Sequence, residues 1–138
     1  MAPTAENEKQ LIESLKTGLF IDGTWRDASN GETFEVEDPA TGRVLTTVAD
    51  ATPEDGMAAL AAATEAQGSW GASAPRERAE ILRRAFEVVT ERADDFALLM
   101  TLEMGKPLPE AHGEVTYGAE FLRWFSEEAV RIAGRWSL

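Results

Sequence analysis

Hydrophobic and polar positions change rhythm near residue 50. Before it, short β-rich runs lie between closely spaced turn signals: Asp22-Gly23, Asn30-Gly31 and Asp38-Pro39-Ala40-Thr41-Gly42. Asp-Gly and Asn-Gly pairs tolerate the positive φ that tight hairpin turns require. Phe20-Ile21 and Thr24-Trp25 flank the first turn. Phe34 and Val36 alternate with Thr33, Glu35 and Glu37, the pattern of a half-buried strand with the two apolar residues facing inward. Val44 to Val48 is rich in β-branched residues. Residues 18–49 therefore predict a small antiparallel β meander.

Beyond residue 50 the punctuation is helical. Thr52-Pro53-Glu54-Asp55 supplies an N-cap hydroxyl, a proline for the first helical position and acids for the positive helix end. That helix is expected to run to about Gly68. Ser73 and Pro75 open a second, in which Leu82, Phe86 and Val89 recur at i, i+4, i+7, widened by Ala79, Ile81, Ala85 and Ala93. A break near Asp94 leads to Phe96, Leu99 and Met100, and Gly105 with Pro107 ends that stretch. A last helix is expected from roughly Pro109 to Ala133. The fold class is α+β, a β meander (18–49) followed by three or four helices (52–134). Residues 1–17 form an N-terminal extension, with 1–10 expected to be frayed.

Composition narrows the function. Thirteen basic and 25 acidic residues give a net charge of −12, which disfavours nucleic acid and anionic membrane as partners, since both call for clustered Lys and Arg. The chain has no cysteine, so it holds neither disulfides nor a thiolate nucleophile. The longest apolar run, Met57 to Ala63, is far short of the ~20 residues that span a bilayer. No signal-peptide pattern opens the chain, and a soluble, cytoplasmic protein is expected.

Chemical motifs are sparse. His112, the only histidine, sits between Glu110 and Glu114, a cluster that more often forms a solvated helix face than a metal site. Gly105-Lys106 fails as a phosphate loop because Met100 stands where a glycine is required and Pro107 where a hydroxyl is required. The last helix carries two apolar stripes, Tyr117, Phe121, Trp124 and Leu122, Phe125, Ala129. Together they predict burial on two sides, either as a central core helix or with one stripe lining a cavity.

Three runs in order, Phe20-Ile21-Asp22-Gly23-Thr24-Trp25, Asp38-Pro39-Ala40-Thr41-Gly42 and Glu103-Met104-Gly105-Lys106-Pro107-Leu108, resemble the start of an aldehyde dehydrogenase. The continuations Glu110-Ala111-His112-Gly113-Glu114-Val115 and Ala119-Glu120-Phe121-Leu122-Arg123-Trp124-Phe125-Ser126-Glu127-Glu128-Ala129 are similar to the succinate-semialdehyde dehydrogenase branch. One departure is Asp38, where the family usually has Asn. The likeness runs from about residue 18 to 135 and implies that residues 18–138 are an incomplete N-terminal part of an NAD(P)-binding domain, a partial outer layer of its α/β fold.

That resemblance implies an NADP- or NAD-dependent oxidation of succinate semialdehyde to succinate in the parent protein. In the family a cysteine thiolate attacks the aldehyde, hydride passes to the nicotinamide and water releases the acid. The cysteine lies beyond this segment, so the chain by itself is expected to be inactive and to bind no cofactor. Glutarate semialdehyde and betaine aldehyde are the alternative substrates, and a complete, non-catalytic helical interaction module is the alternative of a different class. Implied partners are the remainder of the dehydrogenase chain and further copies in a homo-oligomer. The implied site residues are Tyr117, Phe121 and Trp124 along the substrate tunnel. A monovalent cation would be held by the backbone carbonyls of Val36 and Glu37 and the carboxylate of Glu103, an oxygen set suited to Na⁺ or K⁺. The competing role for Glu103 is to cap its own helix or to pair with Lys106.

Overall fold

A computed structural model describes residues 4–132 and Gly134. The order is α1 (Ala5–Ser14), β1 (Leu19–Ile21), β2 (Thr24–Arg26), β3 (Thr33–Asp38), β4 (Arg43–Ala49), α2 (Pro53–Ala72), α3 (Pro75–Glu91), α4 (Ala93–Met104) and α5 (Leu108–Glu128), closed by a 3₁₀ turn over Ala129–Arg131. This is the expected α+β arrangement, strands first and helices after.

Residues 5–10, expected to fray, are instead helical. Thr4 and Asn7 cap α1 reciprocally: the Asn7 amide donates to Thr4 Oγ1 at 3.3 Å and the Thr4 amide to Asn7 Oδ1 at 3.0 Å, the two-way closure that starts a helix efficiently. Leu11 then buries against Leu98 and Leu102 of α4, with Ile12, Leu45 and Leu99 around them. One cap and one buried leucine hold a helix that is otherwise polar. Residues 1–3 lie outside the described residues.

The strands form two separate hairpins, β1–β2 and β3–β4, both antiparallel, rather than one continuous meander. Asp22 and Gly23 both have positive φ, 52° and 72°, as a two-residue turn between right-twisted strands demands. The Ala49 amide at the end of β4 donates to the Thr17 carbonyl just before β1 at 2.9 Å, while the Asp50 amide donates to the Glu32 carbonyl at 2.9 Å and extends the β3–β4 ladder by one step. Phe34, expected to face inward, is 51% exposed; alternation marks two faces of a strand, and here neither is covered at that position. Val36 is half-buried.

A bulge interrupts the second hairpin. Val36 opposes Thr46 but Glu37 opposes Val44, so Leu45 is the extra residue on β4. Bulges re-aim side chains, and this one delivers Leu45 to the α1–α4 leucine cluster.

Helix starts follow the sequence signals closely. Thr52 caps α2 and Pro53 occupies its first turn. The helix continues past Gly68 to Ala72, since an isolated glycine weakens a helix without ending it. The break between α3 and α4 falls at Arg92, ahead of Asp94, which places Asp94 and Asp95 in the first turn of α4 where the helix dipole favours them. Gly105, at φ 72°, terminates α4. The last helix starts at Leu108, closes at Glu128 and passes into the 3₁₀ turn; its expected end at Ala133 lies outside the described residues.

The core between α4 and α5 is built from small side chains. Ala97 and Ala111 are 0% exposed and Val115 is buried beside them, with Val89, Ala93, Met100 and Leu108 around the rim. On α5 the buried line is Ala111, Val115, Ala119 and Ser126. The two-sided burial expected for this helix is therefore corrected. Tyr117 is 69% exposed and Trp124 63%, with Phe121 and Phe125 also exposed. Alanines let α3 and α4 approach α5 closely, and the bulky stripe is turned away from that contact. On α3 the expected stripe faces the bundle except at Ile81, which is exposed. Among the described residues no helix is long and apolar enough to cross a membrane.

Candidate functional site

Two stretches far apart in sequence meet where β3 ends and α4 ends. The turn after β3 is shaped by Asp38, whose Oδ1 accepts from the Ala40 amide at 2.8 Å and whose Oδ2 accepts from Thr41 Oγ1 at 2.7 Å. The Thr41 hydroxyl first, then the Ala40 amide, hold this carboxyl below its usual range, so it stays an acceptor at neutral pH. Pro39 follows. The positive φ of Gly105 favours glycine, and a Cβ there would sit tightly, 3.3 Å from Pro39 Cγ.

This junction brings the elements bearing Val36, Glu37 and Glu103 together. Val36 and Glu37 flank the ladder irregularity, three and two residues before Pro39, and Glu103 stands exposed two residues before Gly105 in the last turn of α4. Lys106 pairs with Glu114 and so is engaged away from Glu103. Backbone carbonyls and a carboxylate are the kinds of oxygen that a monovalent cation takes as ligands. Among the described residues no group of three or more His, Cys, Asp or Glu gathers in metal-binding fashion. His112 lies 3.5 Å from Asp94 and Glu114 turns to Lys106, so these two members of the Glu110–His112–Glu114 cluster turn to different partners.

Tyr117, Phe121 and Trp124 form the exposed face of α5. The Tyr117 and Phe121 rings meet edge to face, centroids 5.0 Å apart at 90°, an arrangement that pre-sets both side chains. The opposite side of the helix borders a small recess of about 100 Å³ against α3, lined by Phe86, Thr90, Val115 and Ala119.

A polar knot was not anticipated as such. Asp55, 2% exposed, accepts from the Ser29 amide at 3.0 Å, the Thr52 amide at 3.0 Å, Thr52 Oγ1 at 3.0 Å and Arg26 Nη2 at 3.0 Å. The Ser29 amide, then the Thr52 amide, hold its pKa down to about 2. The Thr-x-x-Asp spacing announces the local half of this knot; the half contributed by Arg26 and Ser29 has no spacing signal.

Residues 25–137 match the model of the aldehyde dehydrogenase family. This chain belongs to that family. It is 71% identical over 93 residues, 67% of its length, to the succinate-semialdehyde dehydrogenase of Paenarthrobacter nicotinovorans, of which it covers 21%. Identity to the NADP(+) succinate-semialdehyde dehydrogenase GabD of Escherichia coli is 48% over 115 residues, 83% of this chain and 24% of that one. The betaine aldehyde dehydrogenase of Staphylococcus aureus, solved in complex with NAD⁺, superposes with a TM-score of 0.91 over 94% of this chain and 26% of the enzyme, at 27% identity. The chain thus spans between a fifth and about a quarter of these relatives. One of them carries NADP(+) in its name and another was solved with NAD⁺, so both nicotinamide cofactors occur among the family members similar to this segment.

Proposed function

We propose that this chain is a segment of an NAD(P)-dependent succinate-semialdehyde dehydrogenase and supplies an outer layer of its cofactor-binding domain. The observation that carries this reading is the 71% identity over 93 residues to a dehydrogenase of that name. The reaction converts an aldehyde and water to a carboxylate while NAD(P)⁺ takes up a hydride. This chain has no cysteine, so the nucleophile comes from elsewhere in the protein, and residues 4–132 act by shaping and supporting the site. The large aromatic side chains left exposed on α5 and α2 are of the kind that another apolar surface covers, here the remainder of the dehydrogenase. Homo-oligomerisation and a cytoplasmic setting, without nucleic acid or membrane, accompany the reading, in keeping with the net charge of −12.

Within that enzyme, Tyr117, Phe121 and Trp124 form an apolar wall along which the carbon chain of the semialdehyde lies. Their alignment on one exposed face and the fixed Tyr117–Phe121 ring pair support this role. Val36, Glu37 and Glu103 hold a monovalent cation, supported by the β3–α4 junction and by the bulge.

A chimera tests the assignment. The present segment replaces its counterpart in the Paenarthrobacter nicotinovorans enzyme, and NAD(P)H formation is followed with three aldehydes. Succinate semialdehyde is expected to give the highest kcat/KM. A preference for glutarate semialdehyde or betaine aldehyde moves the segment to another branch, and a folded chimera without activity overturns the assignment. In an active chimera, Glu103→Ala is expected to abolish any difference in thermal stability between sodium or potassium buffers and a bulky organic cation; an unchanged difference rules Glu103 out as a ligand.

A further inference from the structure

The loop joining the two hairpins contains Asn30-Gly31, the pair most open to spontaneous loss of ammonia, because glycine offers no side chain to hinder attack by its backbone nitrogen. We propose that Asn30 is a deamidation site gated by Glu32, one that reacts when the Asn30–Glu32 contacts open and thereby loosens the anchor of α2. In the reaction the Gly31 nitrogen attacks Asn30 Cγ, the bond from Cγ to Nδ2 breaks, and ammonia leaves with the former Gly31 amide proton. Water then opens the cyclic imide at either carbonyl, leaving aspartate or isoaspartate.

Three contacts hold the reacting atoms apart. The Gly31 amide donates to the Ala28 carbonyl at 2.8 Å, so the attacking nitrogen is engaged. Asn30 Oδ1 accepts from the Glu32 amide at 2.9 Å, and Asn30 Nδ2 donates to Glu32 Oε2 at 3.0 Å. Both polar atoms of the electrophilic amide are therefore tied to a single residue on the far side of the glycine. All three residues are exposed, so water reaches the loop and local opening, rather than unfolding of the whole chain, sets the rate.

The product has a structural address. Aspartate at position 30 sets a carboxylate against Glu32 Oε2 where an amide donor stood, and isoaspartate lengthens the main chain by one carbon. The preceding residue, Ser29, gives its amide to the buried carboxylate of Asp55 at 3.0 Å and its hydroxyl shares a 2.7 Å bond with Thr52 Oγ1. Strain at position 30 therefore passes directly to the residues that cap α2.

The test uses the 138-residue chain in mildly alkaline buffer, with and without urea, and follows the mass increase and isoaspartate content of the peptide containing Asn30. The three hydrogen bonds that must open slow the native chain by roughly tenfold relative to the urea-unfolded chain. Glu32→Ala removes the Oε2 acceptor while the backbone amide at position 32 can still donate to Asn30 Oδ1, so the native rate is expected to rise severalfold without reaching the unfolded one, whereas Glu32→Gln, which keeps an acceptor oxygen, stays slow. Asn30→Asp is expected to speed amide exchange in the first turn of α2 and leave α4 unchanged. Equal rates with and without urea, or a Glu32→Ala chain with native ellipticity that reacts as slowly as the parent, overturn the proposal.

Discussion

Helices α2 and α5 are 20 and 21 residues long and both carry large apolar residues, yet they are held in opposite ways. Along α5 the small residues Ala111, Val115 and Ala119 bury against α3 and α4, and the aromatic residues face out. On α2 only Asp55 is buried. Its N-terminus is fixed by the Asp55 knot. Its C-terminal carbonyls are gathered by Arg78, whose Nη1 donates to Ser73 at 2.7 Å and, more weakly, to Gly71 at 3.4 Å and Trp70 at 3.5 Å. Met57, Leu60 and Trp70 between them are exposed. One helix is fixed along its length by packing, the other at its two ends by polar contacts. Apolar content alone therefore does not tell which helix carries the local stability; the decision lies in whether a neighbour approaches.

The sharpest way to break this contrast is the same truncation on both sides. Leu102→Ala removes a buried member of the α1–α4 cluster and is expected to cost about 2–5 kcal/mol. Leu60→Ala on exposed α2 is expected to stay within about 0.5 kcal/mol. Urea denaturation followed by far-UV ellipticity measures both, and equal losses would show that α2 packs as firmly as α4. Enlargement gives the next effect. Ala111→Leu has no space to enter and is expected to destabilise by about 1–3 kcal/mol, while Ala63→Leu, on an exposed position, is expected to be neutral in the same assay.

Acid separates the two kinds of support. Asp55 has a folded-state pKa lowered to about 2, so the unfolded chain binds its proton first as pH falls. The stabilisation it gives is fully present above the ordinary carboxylate range and is lost as pH drops toward 2. Amide exchange in the first turn of α2 is expected to accelerate over that window before exchange in α4 does. Asp55→Asn should remove this pH dependence, and an unaltered acid profile would place the anchor of α2 elsewhere. The smallest effect concerns the outward face of α5: in the active chimera, Phe121→Ala is expected to raise KM for succinate semialdehyde by about tenfold, the scale of a lost apolar contact, with unchanged KM returning the aromatic stripe to a purely structural role.

Much of the fold was legible because its signals are local. Thr52-Pro53 and Gly105 marked helix ends from their own chemistry, and Asp22-Gly23 marked its hairpin. What escaped depends on partners. Phe34 carries the alternation of a half-buried strand, but alternation cannot say whether a face is covered. Tyr117, Phe121 and Trp124 lie at core-like spacing, yet α3 and α4 take the alanine side because backbones come closer there. The first helix was hidden by its polarity and rests on one leucine and a reciprocal cap. The nearness of the β3 and α4 ends was implied only by the resemblance, through the cation ligands Val36, Glu37 and Glu103, since no local rule connects Pro39 to Gly105 across the whole of α2 and α3. Arg26 and Ser29 joined Asp55 without any signal, as long-range polar contacts commonly do.

The extra residue in β4 acts as a choice of phase. Strand side chains alternate with a period of two, so Leu45 settles which of two adjacent apolar residues meets the helices: it enters the leucine cluster, while Val44 stands in water. Remove that one residue and Val36 still faces Thr46 and Glu37 still faces Val44, now in an unbroken ladder. The hairpin would close with both faces as before, because pairing and turn are untouched, but it would lose the one side chain that β4 sends into the leucine cluster. The surplus residue is thus a tether rather than a fault: without it β3 and β4 remain a hairpin but let go of the helices.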